Sequence, residues 1–260
     1  LRECPHYGED GVLLEIFERI DPGKTPLCIE FGESRVLGTT TRAFRIRHAP
    51  QAIYFTGDYN LRSFILNCID IFKVSFVEKN LKYLKFFLNM PFKFFVTEEN
   101  IIQILNKKIS KSTRINILTV DIDSYDYYLI RKLLANKFMP DIFIVEYNPS
   151  FGLDLKVTYP NKLTTNFKNK RMYGASYQLL QELFNQYDYK LCFVSGFCNL
   201  FFVHNKYAHQ FSAINIEDEI TDTDEKIINY IQKYCQNGFI PSWFQDPKLD
   251  GSDIKQLDQF

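Results

Sequence analysis

The sequence predicts an α/β protein whose β-sheet is mostly parallel and is covered by helices on both faces. Short apolar runs that stop at turn-forming residues recur along the chain, and segments with helical periodicity lie between them. Apolar residues fill these runs continuously, which is typical of parallel strands buried on both faces. With 260 residues, we expect a single domain over 1–260, with a helical N-terminal cap at 1–24 and a C-terminal extension at 205–260.

The first half of the chain alternates helices and strands. A helix is predicted over 9–20, where Leu13, Ile16, Phe17 and Ile20 recur at helical spacing. Residues 33–42 are interpreted as a polar, turn-rich stretch. The remaining predictions here are strands at 27–32, 51–58 and 92–100, a mostly helical segment at 60–90, and a helix at 100–107.

The second half continues the alternation and ends in a hairpin. Ser124 is predicted to cap a helix that starts at residue 125, and Ser176 to cap one over 176–187. Further strands are predicted at 115–123, 141–148, 190–195 and 199–204, the last two forming an antiparallel hairpin around Gly196. Residues 149–173 are interpreted as a long polar loop, 227–236 as a last helix, and the tail from 238 as loop.

Composition narrows the functional classes. A formal net charge of zero argues against nucleic-acid binding through bulk basicity. Six cysteines without a C-x-x-C pair, and four histidines without ligand spacing to them, argue against zinc. We expect reduced thiols, with Cys28 and Cys192 buried, in a cytoplasmic protein. We expect no signal peptide and no transmembrane segment, because Lys85 and Lys93 interrupt the most apolar stretch. The high aromatic content leaves room for a homodimer interface.

Acids and an amide follow several of the predicted strands. If the sheet is parallel, these side chains converge on one edge, where ligands bind in such sheets. They are Glu30, Asp58, Asp121, Asp123, Glu146 and Asn148. Acids gathered there need a cation, a polyhydroxyl ligand or protons. Asp121 follows an apolar strand directly and is expected to be functional, Asp126 is expected to stabilise a helix N-terminus, and Asp123 stays open between cap and ligand.

Several segments, taken in chain order, resemble a known family. They are YGEDGVLLEIFERI, CIEFG, TGD, VDIDSYDYYLIRKL, IVEYN, YGAS and NLFFV. Over residues 7–204 the chain resembles the FkbM-like, surface-polysaccharide-associated branch of the S-adenosylmethionine (SAM)-dependent methyltransferases. The resemblance implies a class I, Rossmann-like three-layer sandwich with seven strands and an antiparallel last strand. It also implies O-methylation of a sugar, phosphate-containing or other polar precursor of capsule or lipopolysaccharide.

The resemblance also implies a set of SAM-binding residues. Glu30 and Gly32 would line the methionine end of the cofactor, Asp58 would accept hydrogen bonds from the ribose hydroxyls, and Asp121 would lie beside the reactive methyl. The adenine would lie near Glu98 and Asn100. The full set implied for the cofactor is Glu30, Phe31, Gly32, Arg42, Asp58, Glu98, Asn100 and Asp121.

Related sugar methyltransferases hold a divalent metal with acids after the fourth and fifth strands. Asp121, Glu146 and Asn148 match those places and are predicted to be catalytic and, through oxygen ligands, to bind Mg²⁺ or Mn²⁺. In the alternative, Glu146 and Asn148 only hydrogen-bond the substrate or loop backbone. The acceptor is expected to be a small molecule or a glycan precursor, and Arg42 and Lys156 are candidates to meet an anionic one.

Two rival functions stay open. Asp121-Ile122-Asp123 is an Asp-x-Asp after a buried strand, the arrangement with which a nucleotide-sugar glycosyltransferase holds a metal and a diphosphate. A non-catalytic relative that kept the fold is the third hypothesis. Its support is the segment after Glu33, which lacks the glycine-rich turn usual in the resembled family.

Overall fold

The computed structural model describes residues 9–32, 37, 39–48, 51–57, 60–77, 79, 84, 90–160, 173–195, 198–216 and 258–259. Asp58, Gly196 and the helix predicted over 227–236 lie outside the described residues.

The chain divides into two compact units. The first comprises Leu1–Ile122 with Lys132–Ile144, and the second comprises Asp123–Arg131 with Val145–Phe260. Elements that belong wholly to the first unit are helices α1 (Glu9–Arg19), α2 (Arg42–His48), α3 (Leu61–Val77) and α4 (Ile101–Lys108), and strands β1 (Leu27–Phe31), β2 (Gln51–Thr56), β3 (Phe92–Lys93) and β4 (Ile117–Val120).

Helix α5 (Asp126–Ala135) and strand β5 (Ile142–Glu146) have residues in both units. The described elements of the second unit are helix α6 (Tyr177–Gln186) and strands β6 (Val157–Thr158), β7 (Tyr189–Ser195), β8 (Asn199–His204) and β9 (Asp258–Gln259). Two short 3₁₀ helices accompany them, at Pro149–Phe151 and Asn205–Gln210.

Seven strands form one sheet in the order β3-β2-β1-β4-β5-β8-β7. Strand β1 pairs in parallel with both β2 and β4, and β2 pairs in parallel with β3. Strands β7 and β8 form the predicted antiparallel hairpin. Every residue of β1 and β4 is buried, as expected for parallel strands covered on both faces. The predicted α/β class with a mostly parallel seven-stranded sheet and an antiparallel end is therefore confirmed.

One helix was not predicted, and two strands were predicted too long. Helix α2 begins at Arg42, the last residue of the stretch interpreted as turn-rich, and its Phe44 is fully buried with its ring centroid 4.3 Å from that of Phe17. The strand predicted over 92–100 ends at Lys93, the last residue that pairs with β2, and residues 98–100 form a turn before α4. The strand predicted over 115–123 is limited to β4.

One prediction for the C-terminal tail was wrong, and the cap predicted at Ser124 stays a prediction. The backbone N–H of Ser124 donates to Asp126 Oδ2 over 3.0 Å. In the tail that was interpreted as loop, β9 pairs antiparallel with β6. The cap at Ser176 is confirmed, because its hydroxyl accepts a hydrogen bond from the N–H of Leu179.

The prediction that Cys28 and Cys192 are buried is confirmed, and Cys198 is buried as well. Burial raises the pKa of the Cys28 thiol well above its usual value, which keeps it protonated and unreactive. None of the helices in the described ranges is long and apolar enough to cross a bilayer.

Candidate functional site at the strand ends

The carboxyl ends of β1 and β4 meet where the strand order of the sheet reverses direction. Ligands in open α/β sheets bind outside the carboxyl ends of the strands at such a point. The N–H of Asp121, which follows β4, donates to the carbonyl of Phe31 at the end of β1 over 3.1 Å. The two strand ends are thereby tied together at the place where the sequence puts its candidate acids.

Gly32 makes this close approach possible. Its φ of +112° lies in a region that residues with a side chain rarely adopt. A Cβ atom at this position would overlap the carbonyl oxygen of Asp121, and the N–H of Gly32 donates to the carbonyl of Phe55 over 2.9 Å. The resemblance implies that Gly32 lines the methionine end of a cofactor, and the neighbour that the structure gives it is the backbone of Asp121.

Glu30 is buried beside a small polar cluster that sequence reasoning missed. Its carboxylate accepts a hydrogen bond from the hydroxyl of Thr41, which lies 3.5 Å from the hydroxyl of Tyr54. The buried guanidinium of Arg45 lies 4.7 Å from the centroid of the Tyr54 ring. Burial raises the pKa of Tyr54 well above its usual value, so this hydroxyl stays neutral.

A signal for part of this cluster was present in the sequence. Thr41 immediately precedes α2, and threonine is favoured at helix N-caps. Its carbonyl accepts from the N–H of Arg45 over 2.9 Å, as an N-cap carbonyl does. The partnership of Glu30 with Tyr54 depends on the register of β1 against β2, for which no local pattern exists.

Three carboxylates lie near the ends of β4 and β5. One oxygen from each of Asp121, Asp123 and Glu146 lies within 4.8 Å of the others. Asp121 and Glu146 are half-buried, and Asp123 is exposed. Asp123 adopts the left-handed conformation with φ of +57°. Although Asp123 reaches solvent, the surrounding protein atoms partly desolvate its carboxyl group and raise its pKa.

The cluster has the donor chemistry of a divalent cation site. Oxygen ligands lie about 2.1 Å from Mg²⁺, so two on opposite sides of the ion are about 4.2 Å apart. The carboxylate oxygens of Asp121, Asp123 and Glu146 lie within 4.8 Å of one another, so these residues fit Mg²⁺ or Mn²⁺. Carboxylate clusters of this kind also occur without an ion, and the geometry therefore permits a cation without assigning one.

Asp126 lies outside this cluster and serves the chain locally. It is fully buried in the first turn of α5, and it accepts the hydrogen bond from the N–H of Ser124 already described. A carboxylate in the first turn of a helix is also favoured by the helix dipole. Its predicted role at a helix N-terminus is confirmed.

Asn148 anchors the segment before α6. It is fully buried, its N–H donates to the carbonyl of Ala175 over 2.8 Å, and its side-chain amide donates to the carbonyl of Tyr173 over 3.1 Å. These contacts agree with the alternative in which Asn148 bonds loop backbone. Its role as a catalytic residue and metal ligand stays a prediction.

The segment 173–176 is held in place from several sides. The hydroxyl of Ser176 accepts from the N–H of Val157 over 3.1 Å as well as from Leu179. The hydroxyl of Thr158 donates to the carbonyl of Gly174 over 3.1 Å. These bonds hold Ser176 at the start of α6, where it forms the predicted cap.

The other residues implied for the cofactor are dispersed over the first unit. Phe31 packs its ring on Phe55 with centroids 5.0 Å apart, so only its backbone is at the strand end. Arg42 begins α2 and is half-buried. Glu98 lies in the turn before α4 and is half-buried.

Asn100 closes that turn with its own side chain. Its Oδ1 accepts from the N–H of Thr97 over 2.8 Å, and its Nδ2 donates to the carbonyl of Phe95 over 2.9 Å. The amide of Asn100 is thus engaged by backbone on both sides, and its contact with an adenine stays a prediction.

No protein-family model matches this chain, and no curated protein matches it. The family resemblance is therefore carried by the sequence segments alone.

Proposed function

We propose that this protein is a SAM-dependent methyltransferase that methylates a hydroxyl group of a sugar or another polar precursor of a surface polysaccharide. The observation that carries the proposal is the sheet order β3-β2-β1-β4-β5-β8-β7. When the two-residue β6, which lies outside this sheet, is left out of the numbering, the order becomes 3-2-1-4-5-7-6. The last strand, inserted before the edge strand and antiparallel to it, agrees with the antiparallel last strand that the resemblance implies for class I methyltransferases, whereas the dinucleotide-binding order 3-2-1-4-5-6 has no strand between 5 and 6.

The acids at the strand ends suit the proposed chemistry. SAM would supply an electrophilic methyl group on a sulfonium, and the sulfur would keep the electron pair of the broken bond. The acceptor oxygen would attack the methyl carbon in line, and its proton would pass to a carboxylate. Asp123 is suited to that role, because its raised pKa makes it a stronger base than an ordinary aspartate.

A divalent cation would fit the same carboxylates. Held by Asp121, Asp123 and Glu146, it would lower the pKa of an acceptor hydroxyl and orient it. The ligand set predicted from the sequence contained Asn148 in place of Asp123, and the proximity of the three carboxylates supports the exchange.

Calorimetric titration with S-adenosylhomocysteine, with and without Mg²⁺, tests the proposal. We expect binding by the wild type and a loss of at least about tenfold in Asp58→Ala, which removes a charged partner of the ribose hydroxyls. Asp188→Asn is the control, because Asp188 is an exposed aspartate elsewhere, at the turn between α6 and β7. No binding of S-adenosylhomocysteine under either condition would sink the methyltransferase proposal.

A titration with Mn²⁺, monitored through its electron paramagnetic resonance signal, tests separately whether the carboxylate cluster binds a divalent cation. We expect Asp121→Asn to reduce the bound fraction and Asp188→Asn to leave it unchanged, because only Asp121 belongs to the carboxylate cluster. Equal Mn²⁺ binding by both variants would remove the cation from the proposal and leave proton transfer to the carboxylates.

A metal-dependent glycosyltransferase is the second candidate, and one observation favours it. Asp121 and Asp123, the ends of the Asp-x-Asp sequence, bring their carboxylates together in the cluster. The same calorimetry with UDP- and CDP-sugars in Mn²⁺ distinguishes the two functions. Metal-dependent binding of a nucleotide-sugar, without binding of S-adenosylhomocysteine, would establish the second function over the first.

A further inference from the structure

Helix α3 turns its apolar side towards solvent. Its outward stripe, which we call the α3 face, consists of Leu61, Ile65, Ile69, Phe72 and Phe76. At 100° per residue these five positions fall within an arc of about 80°. All five are exposed, from 47% for Ile65 to 85% for Phe76.

The buried side of the same helix is more polar than the exposed side. The residues of α3 that are buried are Asn67, Ile71 and Ser75. An ordinary surface helix places its apolar stripe on the core and its polar residues in water. Since α3 does the reverse, the α3 face is suited to contact something other than water.

In the part of the chain that the structure describes, the exposed large apolar side chains are confined to one stretch of sequence. Among the described residues, all exposed large apolar side chains lie between 61 and 95; besides the α3 face they are Phe64, Val77, Phe92, Phe94 and Phe95. The five side chains of the α3 face lie on one side of the helix and are more than half exposed on average, so together they present on the order of 500 Å² of apolar surface. This one side of the helix therefore already matches the largest apolar patch of an ordinary monomer, about 300–600 Å².

Basic side chains accompany this apolar surface. On the helical wheel, Arg62 and Lys73 lie within about 40° of one edge of the α3 face, and both are exposed. Lys93 is exposed on strand β3 between the aromatic residues, and Lys108 Nζ lies 3.6 Å from the centroid of the Phe92 ring.

The charge of this stretch also departs from that of the whole chain. Between residues 61 and 95 the sequence contains Arg62, Lys73, Lys79, Lys82, Lys85 and Lys93 against Asp70 and Glu78, although the chain as a whole is neutral. Apolar side chains bordered by lysine and arginine are the pattern of helices that lie in the interface of an anionic bilayer.

We propose that the α3 face, with the aromatic residues around β3, docks on the surface of an anionic lipid bilayer. Phe72 and Phe76 would enter the boundary between headgroups and acyl chains, and Arg62 and Lys73 would meet lipid phosphates. The helix would lie in the interface, because it has 17 residues and is not apolar enough to span. A second copy of the chain fits the α3 face less well than a bilayer does. Pairing two copies through residues 61–95 would bring their excess positive charges together.

This inference does not depend on the proposed methyltransferase activity, since it needs neither cofactor nor acceptor. Its test is co-sedimentation of the full chain with vesicles of phosphatidylcholine alone or with about a third phosphatidylglycerol. We expect binding to the anionic vesicles that weakens at about 0.5 M NaCl. The double variant Phe72→Ser/Phe76→Ser should lose about tenfold or more in partitioning, and so should Arg62→Glu/Lys73→Glu.

The matched control for charge is Lys24→Glu/Lys111→Glu, which changes two exposed lysines elsewhere in the first unit. It should bind like the wild type, and circular dichroism should show all variants folded. Absence of vesicle binding by the wild type, or equal binding by the Phe72 and Phe76 variant, would overturn the proposal. A lipid-free dimer in analytical ultracentrifugation that this variant dissociates would overturn it in favour of a second copy.

Discussion

Helices α6 and α3 use their apolar residues in opposite ways. Helix α6 buries Tyr177, Leu179, Leu180, Leu183 and Phe184. Its outward positions carry glutamine, asparagine and glutamate, which pair along the helix, as Gln181 Nε2 does with Asn185 Oδ1 over 2.8 Å. Helix α3 buries Asn67 and Ser75 and exposes the α3 face.

This difference shows that helical periodicity predicts which side of a helix is apolar but does not predict what packs against that side. For α6 the cover is the protein itself: the ring of Phe184 stacks on Phe202 with centroids 4.0 Å apart. For the α3 face we infer a cover outside the chain. Stability should therefore respond strongly to changes in α6 and weakly to the same changes on the α3 face.

The largest contrast is expected between two phenylalanines. Phe184→Ala should lower the free energy of unfolding by about 3–5 kcal/mol, because it removes a fully buried ring and leaves a cavity. Phe72→Ala should change it by less than about 0.5 kcal/mol, because this ring is 61% exposed. Urea denaturation measures both, and an equal cost would show that the Phe72 ring is covered within the chain.

Two isoleucines of α3 itself sharpen the comparison. Ile71 is fully buried in a cluster with Leu37, so Ile71→Ala should cost about 2–4 kcal/mol. Ile69 is 53% exposed two residues earlier, so the identical substitution there should cost less than about 0.5 kcal/mol. Thermal and urea unfolding check the pair; a larger loss for Ile69→Ala would reverse the assignment of the two helix sides.

Two buried serines extend the comparison to hydrogen bonds. Ser176 accepts from the N–H groups of Leu179 and Val157, so Ser176→Ala should cost about 1–2 kcal/mol. The hydroxyl of Ser75 is buried without a hydrogen-bond partner among the described residues. Ser75→Ala should therefore be neutral or stabilising by up to about 1 kcal/mol. Urea denaturation measures both changes, provided that the variants and the wild type have the same m-value. A clear loss of stability in Ser75→Ala would mean that this hydroxyl is hydrogen-bonded.

The smallest effect on stability is expected at Asp123. Like the α3 face, Asp123 is proposed to contact something outside the chain, here a cation or the acceptor hydroxyl. Because desolvation raises its pKa on folding, the folded state binds more protons than the unfolded state between the two pKa values. Stability contributed by this group is thus present at low pH and lost as pH rises through the folded pKa. Asp123→Asn should raise the melting temperature slightly at pH 7, and this gain should vanish below the unfolded pKa of about 4.

Asp188→Asn is the matched control for that change. Asp188 has φ of +60° and is exposed, so it shares the backbone conformation of Asp123. Asparagine tolerates this conformation well, and the control separates a conformational gain from a charge effect. An equal, pH-independent rise in both variants would contradict the desolvation of Asp123.

Much of the fold could be predicted because its signals are local. The continuous apolar runs of β1 and β4 and the cap at Ser176 need only neighbouring residues to be recognised. Helix α2 was missed because its seven residues are too few for helical periodicity to outweigh the polar threonines before it. The strand predicted over 92–100 was too long, because the apolar aromatics continue the β pattern beyond Lys93, where the pairing with β2 stops.

The sequence by itself determined the class of the sheet, the hairpin at its end and the presence of acids where parallel strands stop. Only the tertiary structure decided which of these groups meet. It placed Asp123 with Asp121 and Glu146, gave Glu30 the hydroxyl of Thr41, and turned the α3 face outward. The physical reason is range: helical and strand periodicity act over a few residues, whereas strand order and register join side chains that are far apart in the chain.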